Sequence, residues 1–460
     1  MSLSRAAVNE RPFTVDELFF STTDAKGVIR SGNAVFSRVA DIPLERMVGK
    51  AHNLIRHPDM PRGVFRVFWD VLESGSGVAA YVKNRAADGR HYWVMAFVTP
   101  VGDGYLSVRL KPTSPLLAVA RQLYAEVLEV EAEIEGGDVR NRKASIAAGV
   151  AKVEALLAAH GFASYRAFMH AALVGEVTAR AAALGGGGGA GASAIADAAA
   201  GADDRSSDAL AACRGAEAAL ERLVADLARY GELAVTLGEK SAFVLGLAEE
   251  IRLFALNAVL SSARLGADGA ALGAVAEILG RRSDEAEPSI RALKSDLDGA
   301  VELLGAMGFR IAASQLMTEM VGTFLRELRA TGAEPATLAH ELTTLAAGLA
   351  DGGERLAVSI TDFAQRLAGV ESGVRTVDAQ LRVVRALEVN GRVEGARLQD
   401  DAIIDLFSTV AHQVADAREQ LRTFSILRDV ARASDATADA AAVKASITGA
   451  ATHVRALAEA

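Results

Sequence analysis

The prolines and tryptophans of this chain are concentrated in its N-terminal quarter. Seven of the nine prolines and both tryptophans lie within the first 115 residues, and only Pro288 and Pro335 follow. Proline interrupts helices, and aromatic side chains favour strands. We therefore predict an α+β domain first and a nearly all-helical region after it. A chain of 460 residues is also too long for one hydrophobic core, so several domains are expected.

The first hundred residues have the pattern of a small sheet wrapped by short helices. The turn Asp24-Ala25-Lys26-Gly27 separates two apolar segments and predicts a hairpin. Residues 33–53 suit short helices, and residues 61–72 carry large apolar side chains at helical spacing. Five strands are predicted, at 18–23, 28–31, 77–84, 90–100 and 104–111.

The rest of the chain is predicted to be helical, with one interruption. Its predicted parts are a helical connector at 115–183, a Gly/Ala-rich flexible linker at 184–204, a helical hairpin at 205–305 and a second hairpin-like region at 306–460. The linker contains five consecutive glycines, and each costs a helix roughly 1 kcal/mol. From Leu220 to Ala258, apolar and small residues recur at alternating spacings of three and four, which indicates a coiled coil or a helical bundle and favours a dimer.

Charge and composition argue against several classes of function. The net charge of −9 disfavours nucleic-acid binding and docking to an anionic membrane. The chain has no apolar run of membrane-spanning length and no signal-peptide core, so no membrane span and a cytoplasmic location are expected. The single cysteine, Cys213, excludes an intramolecular disulfide and is interpreted as a packing residue. Because no nucleophile elbow, metal-ligand pair or nucleotide fingerprint occurs, we predict a protein that is not an enzyme; a flavin reductase is the enzymatic alternative.

One dense motif stands out in the N-terminal domain. Residues 52–61 have the sequence His-Asn-Leu-Ile-Arg-His-Pro-Asp-Met-Pro. Arg56 is a permanently charged fork that suits a phosphate or a ring carbonyl, and His57 can donate to an anion. Asp59 can hold Arg56 or accept a hydroxyl. Lys83 and Asn84, on a later strand, are predicted to line the same pocket.

Together with Val82-Lys83-Asn84-Arg85 and His91-Tyr92-Trp93-Val94, this motif resembles the sensory PAS domain of bacterial aerotaxis receptors. The resemblance covers roughly residues 20–111. It implies a PAS domain at 13–111, with a five-stranded antiparallel sheet and short helices, and it implies bound FAD. The predicted cofactor-binding residues are Asn33, Arg56, His57, Asp59, Trp69, Lys83, Asn84 and Trp93.

One departure from that family leaves the cofactor open. The family has a Trp-x-Gly unit just before the Val-Lys-Asn-Arg strand, where this chain has Val78-Ala79-Ala80. Heme, with His52, His57 or His91 as an iron ligand, and the absence of any cofactor are the alternatives to FAD.

A second motif lies in the helical region. Residues 253–269 resemble the hairpin tip of methyl-accepting chemotaxis receptors, although Ser261 replaces the family's glutamate. The resemblance implies a signalling tip formed by Asn257, Arg264, Gly266 and Gly269, and it implies a chemotaxis histidine kinase and its coupling protein as partners. Residues 257–265 also resemble residues 390–398, which indicates an internal repeat.

These observations predict a cytoplasmic signal-transduction protein. Its PAS domain would sense redox state or oxygen supply and transmit the state of the cofactor to a helical signalling bundle. The alternative is an adaptor or structural component of chemoreceptor-like assemblies that senses nothing and uses its PAS domain for dimerisation.

Overall fold

The fold begins with the predicted hairpin. Strand β1 (Phe19–Asp24) pairs antiparallel with β2 (Ile29–Gly32). Asp24 Oδ1 accepts hydrogen bonds from the backbone N–H groups of Lys26 and Val28, at 2.8 and 2.9 Å. Gly27 closes the turn with a φ of +75°, a left-handed conformation that favours glycine. This computed structural model describes residues 9–185, 204–264, 266–422 and 436–459.

Three further strands complete one antiparallel sheet. They are β3 (Val78–Arg85), β4 (His91–Val101) and β5 (Gly104–Leu110). The spatial order is β2-β1-β5-β4-β3, and β5 pairs with both β1 and β4. Five antiparallel strands with short helices between β2 and β3 confirm the predicted fold class.

The short helices that connect β2 to β3 cover one face of this sheet, which we call the inner face. They are α1 (Ala34–Ala40), α2 (Leu44–Met47), a 3-10 turn (His52–Ile55) and α3 (Arg62–Glu73). A buried apolar cluster packs between α1, α2 and the strands, and it includes Phe19, Phe36 and Tyr92. Residues two apart on a strand share a face, so inner-face and outer-face side chains alternate.

The outer face of the sheet is covered by later helices of the same chain. Helices α4 (Leu116–Glu135), α5 (Arg142–Ala159) and α6 (Tyr165–Ala183) follow β5 directly. Long helices follow: α7 (Asp204–Arg264), α8 (Ala270–Thr331), α9 (Ala339–Leu398), α10 (Asp401–Arg422) and α11 (Ala436–Ala458). Four ring pairs connect the sheet to these helices: Phe20–Phe324, Tyr81–Phe168, Trp93–Tyr124 and Phe97–Phe309.

The chain divides into two compact units. The first takes its described residues from Met1–Ala228, Gly305–Ala357 and Ala441–Ala460, and the second from Arg229–Leu304 and Val358–Ala440. In the second unit, Arg366 pairs with Asp296 at 2.9 Å, and Arg418 pairs with Asp378 at 2.8 Å. None of the helices in the described ranges is both long and apolar enough to cross a membrane.

The predicted domain boundaries stay predictions. Helix α8 continues without a break through 305/306, and most of the predicted linker lies outside the described residues. Leu220 and Ala258, at the ends of the predicted seam, are buried. Most of the intervening seam positions lie outside the residues whose side chains are described. The two copies of the repeat occupy equivalent places, because α7 and α9 end at Arg264 and Leu398.

The first of three buried or bridging carboxylates caps α3. Glu131 of α4 is 4% exposed and accepts hydrogen bonds from the backbone N–H groups of Arg62 and Gly63, at 2.9 and 2.6 Å. These groups belong to the first turn of α3, where no carbonyl of the helix itself can bond them. A negative charge at a helix N-terminus is also favoured by the helix dipole. The connector therefore holds the helix that forms one wall of the domain.

The second carboxylate holds the start of the connector. Glu176 of α6 is fully buried and accepts from the backbone N–H groups of Thr113 and Ser114, at 2.5 and 3.0 Å, just before α4 begins. It also accepts from the Ser114 hydroxyl and from the Tyr81 hydroxyl of β3, each at 2.7 Å. One side chain thus ties together β3, α4 and α6.

The third carboxylate comes from the long helix α8. Glu327 Oε1 accepts from the backbone N–H of Ala34, at 2.7 Å, in the first turn of α1. Its Oε2 accepts from the side-chain amide of Asn33, at 3.1 Å. Nearby, the edge of the Phe324 ring meets Phe20, with the ring centroids 5.0 Å apart. We call Glu131, Glu176 and Glu327 the capping carboxylates.

Candidate functional site, a cationic cavity in the N-terminal domain

A cavity of about 620 Å³ lies between the inner face of the sheet and α3. Its volume falls in the range of about 300–1,000 Å³ that is usual for small-molecule and cofactor sites. Aromatic side chains of α3 form one wall, including Phe65, Phe68 and Trp69. Inner-face residues of the strands form the other wall, including Asn84, Ser107 and Arg109.

Arg109 is the most unusual group in the cavity. It lies on β5 and is only 4% exposed. Its Nη2 lies 3.0 Å from the Ser21 hydroxyl and 2.7 Å from Nε2 of His52. Its Nη1 is buried without a hydrogen-bond partner in the described part of the chain, where no ion pair to this guanidinium occurs either. Burial lowers the pKa of Arg109 to about 10, so the group keeps its charge at neutral pH.

The bond to Arg109 fixes the protonation of His52. A guanidinium can only donate, so Nε2 of His52 must accept and the ring proton must lie on Nδ1. Burial, followed by the charge of Arg109, lowers the pKa of His52 to about 3. The neutral ring is stacked against Phe36, with the centroids 5.9 Å apart.

Two more polar atoms at the inner face are also unpartnered. The Ser107 hydroxyl, in the cavity wall, and the Tyr92 hydroxyl, in the adjoining core, have no hydrogen-bond partner among the described residues. Buried polar groups are normally bonded, so the Ser107 hydroxyl and Nη1 of Arg109, which both belong to lining residues, indicate room for a polar ligand in the cavity.

The lining is also strongly cationic. Its basic side chains are Lys26, Arg56, Arg62, Arg66 and Arg109. Among the described lining residues, Glu73 is the single carboxylate. Two of these side chains have carboxylate partners outside the lining, since Arg62 pairs with Glu135 and Arg66 with Asp70. The imbalance that remains favours a ligand that carries negative charge or exposes several acceptor oxygens.

Three of the predicted cofactor-binding residues line the cavity. Arg56 donates from Nη2 to the Met60 carbonyl, at 2.7 Å, and lies 4.3 Å above the centre of the Phe65 ring. Burial lowers its pKa. Trp69 meets the ring of Tyr105 edge-on at 5.5 Å. Asn84, 3% exposed, points into the cavity from β3.

Three others form a cluster outside the cavity. Lys83 precedes Asn84 on β3, and alternate residues of a strand point to opposite faces. Its ammonium group pairs with Asp59 at 2.5 Å, which lowers the pKa of that carboxyl. The backbone N–H of His57 donates to the Lys83 carbonyl at 3.2 Å. These contacts hold the loop that carries Arg56 against β3, while a direct part for His57, Asp59 and Lys83 in cofactor binding stays a prediction.

Trp93 and Asn33 also lie away from the cavity. Trp93 is on the outer face of β4, where it packs on Tyr124 and lies under the guanidinium of Arg121. Asn33 caps α1 by accepting from the Phe36 backbone N–H, and its amide donates to Glu327. Asn33 therefore lies where the N-terminal domain contacts α8.

The sequence reasoning missed the residues of β5 that complete the cavity. Tyr105, Ser107 and Arg109 alternate with Leu106 and Val108, which is the pattern of one polar and one apolar strand face. The sequence signal that could have identified them is Arg109, a charged residue on a strand predicted to face the pocket.

The predicted signalling tip lies at the end of α7. Asn257 and Arg264 are exposed on the last turns of that helix. Gly266 has a φ of +57°, and Gly269 is buried in the short 3-10 turn before α8. Leu253, Leu256 and Leu260 leave an exposed apolar stripe beside these residues.

Comparison with known proteins identifies the N-terminal domain. Residues 30–107 match the family described as PAS fold. The Aerotaxis receptor of Escherichia coli (strain K12) is 36% identical over 118 residues, which is 25% of this chain and 23% of the receptor. The resemblance stated for the PAS domain is therefore confirmed, and it spans about a quarter of that relative's length.

Two crystal structures are each similar to a part of the chain. One is the PAS domain of a protein from Colwellia psychrerythraea, with 19% identity, coverage of 24% of this chain and 96% of that chain, and a TM-score of 0.19. The other is a LOV protein from Rhodobacter sphaeroides, with 16% identity, coverage of 35% of this chain and 98% of that chain, and a TM-score of 0.20.

Proposed function

We propose that this chain is a PAS-based energy sensor that binds FAD in the cationic cavity and signals redox state or oxygen supply to its helical region. The observation that carries the proposal is the buried guanidinium of Arg109, whose Nη1 has no partner among the described residues, within a domain 36% identical to an aerotaxis receptor. A buried cation without a counterion is costly unless a ligand supplies acceptors.

The chemistry of the cavity fits a flavin. Arg109 and Asn84 offer donors to ring carbonyl oxygens, and Arg56 offers a charged fork to an acceptor nearer α3. Phe65 and Trp69 supply flat apolar surface for a ring system. FAD, when bound, would supply reversible reduction, which changes the charge and the hydrogen-bonding of the site.

The cavity is connected to α8 by direct contacts. Arg109 bonds His52, the His52 ring stacks on Phe36, and Phe36 lies in the helix whose first turn is capped by Glu327. Added negative charge in the cavity would draw the guanidinium toward it and weaken its bond to His52. The resulting shift of α1 would reach α8 through Glu327.

The signalling partners in this proposal are a chemotaxis histidine kinase and its coupling protein, acting on a self-associated, cytoplasmic chain. The similarity of residues 253–269 to a chemoreceptor tip supports them, as does the exposed apolar stripe at Leu253, Leu256 and Leu260. In this proposal the protein itself catalyses no reaction.

An absorption spectrum of the purified full-length protein tests the proposal. We expect the two visible bands of an oxidised flavin, bleaching on reduction by dithionite, and release of FAD on denaturation. A Soret band would instead identify heme and direct attention to the histidines. A colourless protein that also fails to bind added FAD would contradict the sensor proposal and favour the adaptor.

Replacing Glu327 with alanine is expected to separate sensing from transmission. The variant loses the acceptor for Ala34 and Asn33, but it changes nothing in the cavity wall. FAD affinity should stay within about twofold of the native value, because Glu327 does not line the cavity. A twofold change corresponds to under about 0.5 kcal/mol. The difference in hydrogen exchange of residues 309–327 between the oxidised and reduced protein should disappear.

The matched control is Glu334→Ala, which removes an exposed carboxylate just after α8. It should leave the redox-dependent exchange unchanged. If Glu327→Ala keeps the native difference, transmission does not run through this contact.

A further inference from the structure

One cavity residue does not belong to the PAS sheet or its short helices. Ile146 lies in α5, in the connector, and lines the cavity beside Phe65 and Trp69 of α3. It is half-buried. The connector therefore supplies part of the surface that an occupant of the cavity would touch.

Backbone contact fixes α5 against α3. A Cβ atom added at Gly63 would lie 2.8 Å from the Gly149 carbonyl carbon, and one added at Gly149 would lie 2.5 Å from Oε1 of Glu131. Both distances are far shorter than van der Waals contact, so neither position has room for a side chain. Ile146 lies almost one turn before Gly149, and its position is therefore set by this close approach.

A second set of contacts fixes the same place from α4. Ser145, adjacent to Ile146, is fully buried and donates its hydroxyl to the Glu131 carbonyl at 2.8 Å. The Glu131 carboxylate caps α3 at the same time. Helices α3, α4 and α5 consequently meet at one point next to the cavity, and a displacement of α3 there must move α5.

We infer that Ile146 is a specificity-determining residue of the cavity and that α5 is in direct contact with the bound ligand. This inference rests on the proposed function, since it takes a flavin as that ligand. The side chain limits the space beside α3 and shields that side of the ring system from water. Binding of the ligand would then act directly on the connector. This route does not depend on the contact between Glu327 and α1.

The test uses full-length protein carrying Ile146→Trp or Ile146→Ala. The indole of Ile146→Trp occupies cavity space, so affinity for FAD should fall by at least roughly tenfold. The smaller side chain of Ile146→Ala removes contacts without blocking the cavity, so FAD should dissociate roughly fivefold faster. Titration of stripped protein with FAD and riboflavin, followed by fluorescence, measures the affinity, and the fluorescence change after dilution of the FAD-loaded protein measures the dissociation rate. Circular dichroism and thermal unfolding of the cofactor-free variants show whether the fold is kept.

The matched control is Leu156→Ala, a half-buried apolar residue on the same helix that does not line the cavity. It should change FAD dissociation by less than about twofold, although it shortens a side chain of α5 in the same way. Hydrogen exchange of residues 142–159 should slow when native protein binds FAD.

The outcomes separate the two proposals. If native protein binds no FAD, the proposed function fails and this inference fails with it. If native protein binds FAD, but Ile146→Trp binds it equally well or exchange in α5 is unaffected by FAD, only the role of α5 is overturned.

Discussion

Replacing Arg109 with methionine is expected to stabilise the cofactor-free protein and to weaken its binding of FAD. The guanidinium is 4% exposed, its acceptors are Ser21 and His52, and Nη1 has no partner in the described residues. A buried ion carries an effective desolvation cost of several kcal/mol, and an apolar side chain of similar length carries none. The loss of hydrogen bonds from a charged donor should weaken FAD binding by roughly 10- to 100-fold.

The opposite signs of these two effects make the prediction specific. Thermal unfolding of the cofactor-free protein measures the first, and FAD titration measures the second. Arg30→Met is the matched control, since Arg30 forms an exposed ion pair with Asp103 at 2.6 Å. It should change the free energy of unfolding by less than about 1 kcal/mol and leave FAD binding unchanged. A variant Arg109→Met that is less stable without cofactor, or that binds FAD as tightly as the native protein, would contradict a ligand-binding role for this arginine.

Replacing Glu176 with alanine is expected to cost the largest amount of stability, about 3–5 kcal/mol, because each buried donor left without its acceptor costs about 1–3 kcal/mol. The change leaves the Thr113 and Ser114 backbone N–H groups and the Tyr81 hydroxyl without their acceptor in a fully buried place. Both tryptophans lie in the PAS domain, so their fluorescence in a urea titration follows the unfolding of the first compact unit. The midpoint of that transition should move to clearly lower urea.

Two other variants define the cause of that loss. Glu176→Gln keeps the shape and one acceptor oxygen, so its loss should lie between those of the native protein and the alanine variant. Glu133→Ala removes an exposed carboxylate of α4 and should stay within about 0.5 kcal/mol of the native protein. Equal midpoints for Glu176→Ala and Glu133→Ala would show that the buried carboxylate does not hold the connector to the domain.

The sheet and its short helices could be predicted because their signals are local. The turn at Asp24 and Gly27 and the helical spacing after Pro61 each depend on neighbouring residues, and the structure confirms them. The resemblance to aerotaxis receptors supplied the PAS fold and Arg56, whereas Trp69 and Asn84 were predicted from their residue types and their places on a helix and a strand beside the pocket.

The rest of the site depends on contacts that a linear pattern does not contain. Glu176 bonds a group 62 residues away, and Glu327 bonds one 293 residues away. Lys83 and Asn84 are adjacent in sequence, but they face opposite sides of β3, so a motif that includes both cannot place both in one cavity. The cofactor, the partners and the domain boundaries remain predictions for the experiments above.

The packing of α8 on the outer face of the sheet has a consequence for the folding of the chain during its synthesis. Phe20 and Phe97 are covered by Phe324 and Phe309 of α8, about 200 residues beyond the end of β5. At a synthesis rate of about 5–20 residues per second, these rings would stay uncovered for roughly ten to forty seconds after the last strand is made. A nascent chain halted in that interval would present an apolar sheet face to other molecules. Truncation before residue 309 is therefore expected to give a PAS domain that aggregates or binds chaperones, even though its own five strands are complete.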